Sequence, residues 1–268
     1  MQVHDFTLYD MLVRNARIYG DRPAVITPQA QYTFRAFLAR VDRLAAGLAA
    51  LPLQAGDRLC ILALNQPAYL ELYGACARLG LIAYPLNWRL TSDEIARIVE
   101  RAAPKFFLAD ETTLPLVAGW PATHPAIPHW YTFGTTAAAG FTPLDTVYRS
   151  PEALPVLTHT NILAANLQTI ACLGLTEADS NLLALPLFHI AALGAAFAML
   201  HVGAANVVMS RFDAAQAVQL VQTHHVTHMT SFPPVLTQML DAAAAVNSTL
   251  PSLKYVVGLE GPETITRL

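Results

Sequence analysis

The sequence has little charge and few cysteines for its length. Only 13% of its 268 residues are charged, and the formal net charge is −3. Because no basic stretch stands out, we expect no nucleic-acid partner. The three cysteines, Cys60, Cys76 and Cys172, form no C-x-x-C pair. This pattern favours reduced, buried thiols in a cytoplasmic protein over disulfides or a metal site.

The sequence also lacks the patterns of a signal peptide and of a membrane span. Residues 1–5 do not combine basic side chains with a following apolar run, as a signal peptide would. The apolar stretch 182–209 exceeds the roughly 20 residues that a span needs. However, Pro186, His189 and Gly194 interrupt it. We therefore interpret the stretch as a buried α/β core and expect no transmembrane segment.

Short apolar strands alternate with amphipathic helices along most of the chain. This alternation predicts βαβ units and a mostly parallel sheet. Strands are predicted at 24–26, 58–64, 81–85, 106–109, 182–185, 205–209, 227–230 and 254–257. Helices are predicted at 7–19, 33–48, 65–78, from Thr91 or Ser92 onward, and at 161–172, 191–201, 213–223 and 233–245. Residues 110–156 are rich in Pro, Thr, Gly and Ala without periodicity, and we predict mostly loop there.

Recognisable motifs follow one another along nearly the whole chain. They are Gly56–Asn65, Leu79–Ile95 (with the run Y-P-L-N-W-R-L), Leu157–Asn161 (L-T-H-T-N), Pro186–His189 (P-L-F-H), Thr227–Pro234 and Leu253–Gly258. In this order they resemble the motifs of the AMP-forming acyl-CoA synthetases, members of the adenylate-forming superfamily. The longest match is Leu79–Ile95, which is similar to the family's G-A-V-x-x-P-L-N-x-R-L-x-x-x-E-I run.

The resemblance implies an α/β fold, the large N-terminal domain of the adenylate-forming enzymes. In that domain mostly parallel sheets flanked by helices form two similar subdomains, here at about 1–150 and 157–268. No segment resembles the family's C-terminal lid domain. The family's magnesium-ligating glutamate has no counterpart in the sequence, and neither does the catalytic lysine that the lid domain carries. No catalytic residue can therefore be assigned.

The resemblance also implies an ATP-dependent carboxylate–CoA ligase. In that reaction a small-molecule carboxylic acid attacks ATP to give an acyl-adenylate, and coenzyme A then displaces AMP. ATP, Mg²⁺ and coenzyme A are the implied cofactors and co-substrates. The apolar residues around Phe188 favour a fatty or aromatic acid. A homodimer is possible.

One expected motif is missing from the sequence. The family's Ser/Thr/Gly-rich phosphate loop, which ends in Pro-Lys-Gly, should precede Leu157, but the chain runs directly from Tyr148 through Ser150 to Leu157. Either the protein lacks the loop, or the printed sequence omits a segment between 150 and 157. We favour omission, because exposed loops are the usual place for disorder. A Gly-Thr-Thr run within 133–140 has no following lysine, and we interpret it as a surface loop.

The P-L-F-H motif gives the predicted acid site. By resemblance, His189 lies against the acyl pocket as a gate between carboxylate and adenylate, with Phe188 and Leu193 lining the pocket. The alternative is a core histidine at the end of a strand.

The predicted nucleotide site consists of Thr158 and the turn that follows the last strand. The residues of that turn are Gly258, Leu259, Glu260, Gly261 and Pro262. The family usually has Gly-Gly-Ala-Pro here, so Leu259 and Glu260 depart from its pattern. The alternative is an ordinary strand-to-helix turn with proline at the start of the helix.

Three histidines at 224, 225 and 228 have a spacing that can suit a metal ion. No cysteine, aspartate or glutamate lies among them, and we predict no metal site there.

Three hypotheses about function stay open. The first is part of a carboxylate–CoA ligase. The second is a non-catalytic acyl- or nucleotide-binding protein without the phosphate loop. The third is an adenylation domain that loads a carrier protein.

Overall fold

The computed structural model describes residues 7–134, 138–149 and 160–267. Backbone contacts divide them into two units. The first contains the described residues within Met1–Val13, Phe37–Leu64 and Ala68–Thr160, and the second those within Arg14–Ala36, Asn65–Pro67 and Asn161–Leu268. The subdomains predicted at 1–150 and 157–268 remain a prediction. The contact-defined units differ from them chiefly because 14–36 joins the second unit.

The helices and strands follow in near alternation. The strands are β1 (Pro23–Ile26), β2 (Gln31–Thr33), β3 (Arg58–Leu62), β4 (Ile82–Pro85), β5 (Phe106–Ala109), β6 (His129–Thr132), β7 (Thr142–Pro143), β8 (Ser180–Leu183), β9 (Ala205–Val208), β10 (His228–Ser231) and β11 (Tyr255–Gly258). The helices are α1 (Leu8–Ile18), α2 (Phe34–Ala49), α3 (Pro67–Leu79), α4 (Ser92–Ala102), α5 (Trp120–Thr123), α6 (Thr160–Leu173), α7 (Ile190–Val202), α8 (Ala214–His224), α9 (Val235–Ala245) and α10 (Pro262–Ile265). Short 3₁₀ helices lie at Leu114–Leu116 and Leu144–Thr146.

The first unit is built on a five-stranded sheet in the order β4-β3-β5-β6-β7. All of its pairings are parallel. Alternate side chains of β3 and β5, including Cys60 and Phe107, form a buried cluster with Ile95 and Val99 of α4. A capping box begins α4, since Thr91 N–H donates to Glu94 Oε2 at 2.9 Å and Thr91 Oγ1 accepts from Glu94 N–H. Of the two predicted starting residues, Thr91 and Ser92, the structure thus has Thr91 as the N-cap.

A buried glutamate holds the end of the described stretch 138–149. Glu71 is fully buried and accepts hydrogen bonds from Arg40 Nε and the Tyr148 hydroxyl. Burial, followed by the carboxylate of Glu71, raises the pKa of Tyr148, so this phenol stays protonated. A Cβ on Gly47 would lie 1.5 Å from the carbonyl oxygen of Val147, so the backbone meets α2 without an intervening side chain. The chain is thereby fixed just before residue 150.

The second unit is built on a six-stranded sheet in the order β11-β10-β8-β9-β1-β2, parallel except for the β1–β2 hairpin. On one face Leu182 and Val207 join the α8 residue Val221 in a buried cluster. On the other face Asn206 donates to the carbonyl oxygen of Ala196 in α7 at 3.0 Å. Helices therefore cover both faces, as a buried parallel sheet requires. The predicted α/β class is confirmed.

The prediction of mostly loop at 110–156 was wrong for part of that range. Strand β6 pairs in parallel with β5, and the ring of Trp130 packs at a tilt against that of Phe107, with ring centroids 5.0 Å apart. The strand is only four residues long, so no alternation is visible within it. Its sequence, His-Trp-Tyr-Thr, does carry the aromatic enrichment that is typical of strands.

Within the described ranges, no helix is both long and apolar enough to cross a membrane. The apolar stretch 182–209 instead forms β8, α7 and β9.

Candidate active site

The second sheet has a topological switch point, at which two neighbouring strands connect onward to opposite sides of the sheet. Strand β8 leads through α7 to β9 on one side, and its other neighbour β10 leads through α9 to β11 on the opposite side. The two strands are paired in parallel, with Met229 opposite Leu182. Ligands of open α/β sheets bind outside the carboxyl ends of the strands at such a switch point. By this rule, the candidate crevice is the space between the segments that follow β8 and β10.

His189 and Phe232 meet at this switch point. Their ring centroids are 5.9 Å apart in an edge-on arrangement. His189 is the N-cap residue of α7, and its Nδ1 accepts a hydrogen bond from the N–H of Ala191 at 3.2 Å. Because Nδ1 acts as an acceptor, the proton of the neutral ring lies on Nε2. The exposed imidazole thus keeps one donor for a ligand.

The other two predicted acid-site residues flank His189. Phe188 is half-buried directly before it. Leu193 lies one turn into α7, where its N–H donates to the carbonyl oxygen of His189 at 3.1 Å and its side chain is 6% exposed. The structure brings all three residues together at the start of α7. Leu193 is the most enclosed of them.

Asn65 holds the segment that carries these residues. Its Nδ2 donates to the carbonyl oxygen of Leu185 at 2.8 Å, and its Oδ1 accepts from the N–H of Leu187 at 2.7 Å. The residue is 5% exposed, so both bonds are shielded from water. Sequence reasoning missed this role and assigned Asn65 only to the opening of a helix. The available signal was a polar amide directly after a buried strand.

The predicted nucleotide turn is closely built against β10. A Cβ on Gly258 would lie 1.7 Å from the carbonyl oxygen of Ser231, so only glycine fits there. Leu259 points outward and is 76% exposed. Glu260 turns back, and its Oε1 accepts a hydrogen bond from the Ser231 hydroxyl. A Cβ on Gly261 would have open space, and α10 begins at Pro262.

The corresponding switch point of the first sheet is closed by protein. There β3 leads to β4 and its neighbour β5 leads to β6, in opposite directions. Asp110 follows β5 and accepts hydrogen bonds from the N–H groups of Leu64 at 2.5 Å and Thr113 at 2.8 Å. Its carboxylate fills the position at which a ligand would otherwise meet backbone donors. The second sheet therefore provides the better candidate site.

The predicted phosphate-binding part lies outside the described residues. It comprises Thr158 and the segment 150–157. Across 7–134, 138–149 and 160–267, no three or more His, Cys, Asp or Glu residues form a group that could hold a metal ion. In the turn after β11, Gly258 and Gly261 carry no side chain and Gly261 has open space around it, which leaves room for the base of a nucleotide.

His228 belongs to a separate buried cluster at the amino end of β10. Its ring stacks on Tyr255, with centroids 5.0 Å apart, and its Nδ1 lies 2.7 Å from Thr227 Oγ1. Asp179 is 3.8 Å from the same nitrogen and pairs with Lys254 at 3.0 Å. Burial is the main cause that lowers the pKa of His228, so the ring is neutral at pH 7.

The chain belongs to the AMP-binding enzyme family, whose model matches residues 12–139 and 155–266. A long-chain-fatty-acid–CoA ligase of Thermus thermophilus is 28% identical over 287 aligned positions, which cover 96% of this chain and 53% of the relative. A feruloyl-CoA synthase of an Amycolatopsis species is 30% identical over 241 positions, covering 82% and 48%. The chain thus spans about half the length of these curated relatives.

A solved structure is similar over nearly the whole chain. It is a protein of Rhodopseudomonas palustris CGA009 with a provisional assignment as a long-chain-fatty-acid CoA ligase. It superposes with a TM-score of 0.92 at 35% identity, and the match covers 99% of this chain and 72% of that one. The predicted fold, the N-terminal domain of the adenylate-forming enzymes, is therefore confirmed.

Proposed function

We propose that this chain is the acid- and nucleotide-binding part of an AMP-forming carboxylate–CoA ligase. The observation that carries the proposal is the meeting of His189 and Phe232 at the switch point of the second sheet. This crevice lies at the carboxyl ends of parallel strands, where ligands bind. The family match and the names of the relatives, which are CoA ligases or synthases, support the reaction class.

The proposed reaction has two steps. A carboxylate oxygen attacks the α-phosphorus of ATP, which gives an acyl-adenylate and releases pyrophosphate. The sulfur of coenzyme A then attacks the acyl carbon, AMP leaves, and the thiol proton passes to solvent. The first step joins two anions, so it needs hydrogen-bond donors near the carboxylate. His189 can supply one, because its Nε2 carries the proton when Nδ1 caps α7.

The residues around His189 favour an acid with an apolar body. The ring of Phe232 contacts His189, Phe188 directly precedes it and is half-buried, and Leu193 is buried one turn further on. Pockets for such ligands are mostly apolar, with a few polar groups that fix orientation. A fatty or an aromatic acid is the proposed substrate class. ATP, Mg²⁺ and coenzyme A are the proposed partners in the reaction.

A second candidate function is a non-catalytic protein that binds an acid or a nucleotide. Two observations favour it. The family match omits residues 140–154, the region just before the expected end of the phosphate loop. The 287 positions aligned with the Thermus thermophilus ligase also exceed the 268 residues of the chain, so that relative has segments which this chain lacks. Without its phosphate loop, the crevice would bind without adenylating.

Pyrophosphate release tests the proposal. The purified protein is given ATP, Mg²⁺ and a panel of fatty and aromatic acids, with and without coenzyme A. Release that depends on one acid supports the ligase, and acyl-CoA formation separates it from an adenylation domain that serves a carrier protein. If no acid of the panel causes pyrophosphate release although acids still bind, the result would instead support the non-catalytic binding protein. An intact mass well above 29.0 kDa would show that the protein contains further residues.

A further inference from the structure

Glu260 presents an unused acceptor at the edge of the proposed site. Its Oε1 accepts a hydrogen bond from the hydroxyl of Ser231, a fully buried residue at the end of β10. Its Oε2 is buried and has no hydrogen-bond partner in the described ranges 7–134, 138–149 and 160–267. The bond from Ser231 orients the carboxylate, and Oε2 is left as an acceptor for a ligand.

A buried carboxylate oxygen without a partner is costly. Leaving such an acceptor unsatisfied costs more than a typical hydrogen bond contributes, and the cost is larger for a charged group. Native proteins keep such groups rarely, and often at functional sites. A ligand that donates a hydrogen bond to Oε2 would remove this cost on binding. The oxygen therefore has the character of a recognition group.

Glu260 borders the same crevice as His189. Strands β8, β10 and β11 are neighbours in the sheet, and neighbouring strands lie about 4.8 Å apart, so β8 and β11 end about 10 Å from each other. Phe232, which contacts the ring of His189, directly follows Ser231, which bonds Glu260. The site thus has an imidazole donor on one side, an aromatic ring in the middle and a carboxylate acceptor on the other side.

We propose that Glu260 determines substrate choice, and that the site takes a carboxylic acid bearing a hydroxyl or amino group in addition to its apolar body. This inference rests on the proposed function. The donor on the acid binds Oε2, while the reacting carboxylate lies toward His189. The negative charge of Glu260 also disfavours acids with a second carboxylate, since two like charges would be brought together at a partly dry site. A plain hydrocarbon tail leaves Oε2 unsatisfied.

Calorimetry with matched acids tests the proposal. The purified protein is titrated with 4-hydroxycinnamate against cinnamate, and with 12-hydroxydodecanoate against dodecanoate. We expect the hydroxylated member of at least one pair to bind about tenfold to a hundredfold more tightly, as for a hydrogen bond to a charged group. Glu260→Ala should bring that ratio close to one. Glu263→Gln, which changes an exposed glutamate three residues on, should keep it.

A second variant and a nucleotide pair sharpen the test. Glu260→Gln can keep the bond from Ser231 but replaces the free acceptor with an N–H₂ donor, so the preference for the hydroxylated acid should disappear in this variant too. It therefore serves as the test should Glu260→Ala not fold. Equal binding of both members, or a preference that survives both variants, overturns the inference. The alternative ligand of Oε2 is the amino group of adenine. It would be indicated if the protein preferred ATP over purine riboside triphosphate, lost that preference in Glu260→Gln, and showed no preference between the paired acids.

The two proposals fail in different ways. If the protein releases pyrophosphate with an acid but ignores its hydroxyl group, the role of Glu260 is wrong and the ligase stands. If no acid binds and none supports pyrophosphate release, the proposed function is wrong and the inference falls with it.

Discussion

Asn65 Oδ1 accepts a hydrogen bond from the N–H of Leu187 at 2.7 Å, although the two residues are 122 positions apart. The same side chain donates to the carbonyl oxygen of Leu185. One amide therefore satisfies two backbone groups in the segment that ends at His189. Because the pair is buried, water cannot replace it, and the position of the segment depends on this side chain.

Removing this amide should loosen the acid site. We expect Asn65→Ala to lower the free energy of unfolding by about 1–3 kcal/mol, because a buried donor and a buried acceptor lose their partners. Urea unfolding measures that loss, and calorimetry with the best acid measures the affinity.

The aspartate variant separates the two bonds of Asn65. Asn65→Asp keeps the acceptor for Leu187 N–H but places a carboxylate oxygen against the Leu185 carbonyl. We expect it to be destabilised as well, since two acceptors then face each other. A fully stable Asn65→Ala variant with unchanged acid affinity would show that the bonds do not position the segment.

The two glycines of the turn after β11 should respond differently to alanine. Gly258→Ala places a Cβ 1.7 Å from the carbonyl oxygen of Ser231, so the β10–β11 pairing must open. We expect it to lower the free energy of unfolding by more than about 2 kcal/mol, as a strong backbone clash does. Gly261→Ala has open space within 4 Å of the added carbon and should be near neutral. Thermal unfolding of the two variants provides the comparison, and similar values would contradict the close approach.

Histidine 189 has two roles that substitution can separate. His189→Ala removes the cap of α7 and should lower stability by about 1 kcal/mol. His189→Asn keeps a side-chain acceptor for the Ala191 N–H, and asparagine is among the best caps, so its stability should stay close to that of the unchanged protein. Both lose the imidazole Nε2 donor, and both should bind the acid roughly tenfold more weakly. Unchanged acid affinity in the asparagine variant would show that His189 only caps the helix.

The sequence predicted local elements well and long-range contacts poorly. Strands β3, β5 and β8–β11 appear within a few residues of their predicted positions. In β3 and β5 the reason is a run of buried apolar residues. The pairing of β1 with β9 could not be predicted, since nothing at Val25 specifies that Asn206 lies opposite. Parallel pairing depends on the whole sheet, not on local pattern.

The candidate site was predicted through the resemblance and not through spacing. The P-L-F-H motif gave Phe188 and His189, but the buried support from Asn65 is visible only in three dimensions. Glu260 was predicted as part of the nucleotide turn, where it departs from the family's pattern. Its bond to Ser231 depends on two strand ends that are 29 residues apart in sequence and adjacent in the sheet.

His201 should make the protein less stable in mild acid. Burial is the first cause that lowers the pKa of its imidazole to about 4, and the positive charge of Arg14 is the second. Its Nδ1 is buried without a hydrogen-bond partner among the described residues. A proton added to the folded protein would therefore place a charge in a site that cannot solvate it.

The direction of the pH effect follows from the two protonation states. An unfolded chain protonates His201 near its ordinary pKa of about 6.5, whereas the folded protein does so only near 4. As the pH falls between these values, the unfolded state gains a proton first, and folding becomes less favourable by an amount on the order of 3 kcal/mol. His201→Gln carries no such proton, so its unfolding free energy should change less between pH 7 and pH 4.5 in urea titrations.

A half-exposed histidine is the matched control. His224→Gln removes an imidazole at the end of α8 and not the buried one, so it serves as the comparison in the same urea titrations. His228, whose pKa is also lowered, should add a further part of the loss. Equal pH dependence in His201→Gln and the unchanged protein would mean that the folded protein accommodates a charged His201, either by moving Arg14 away or by admitting water to Nδ1.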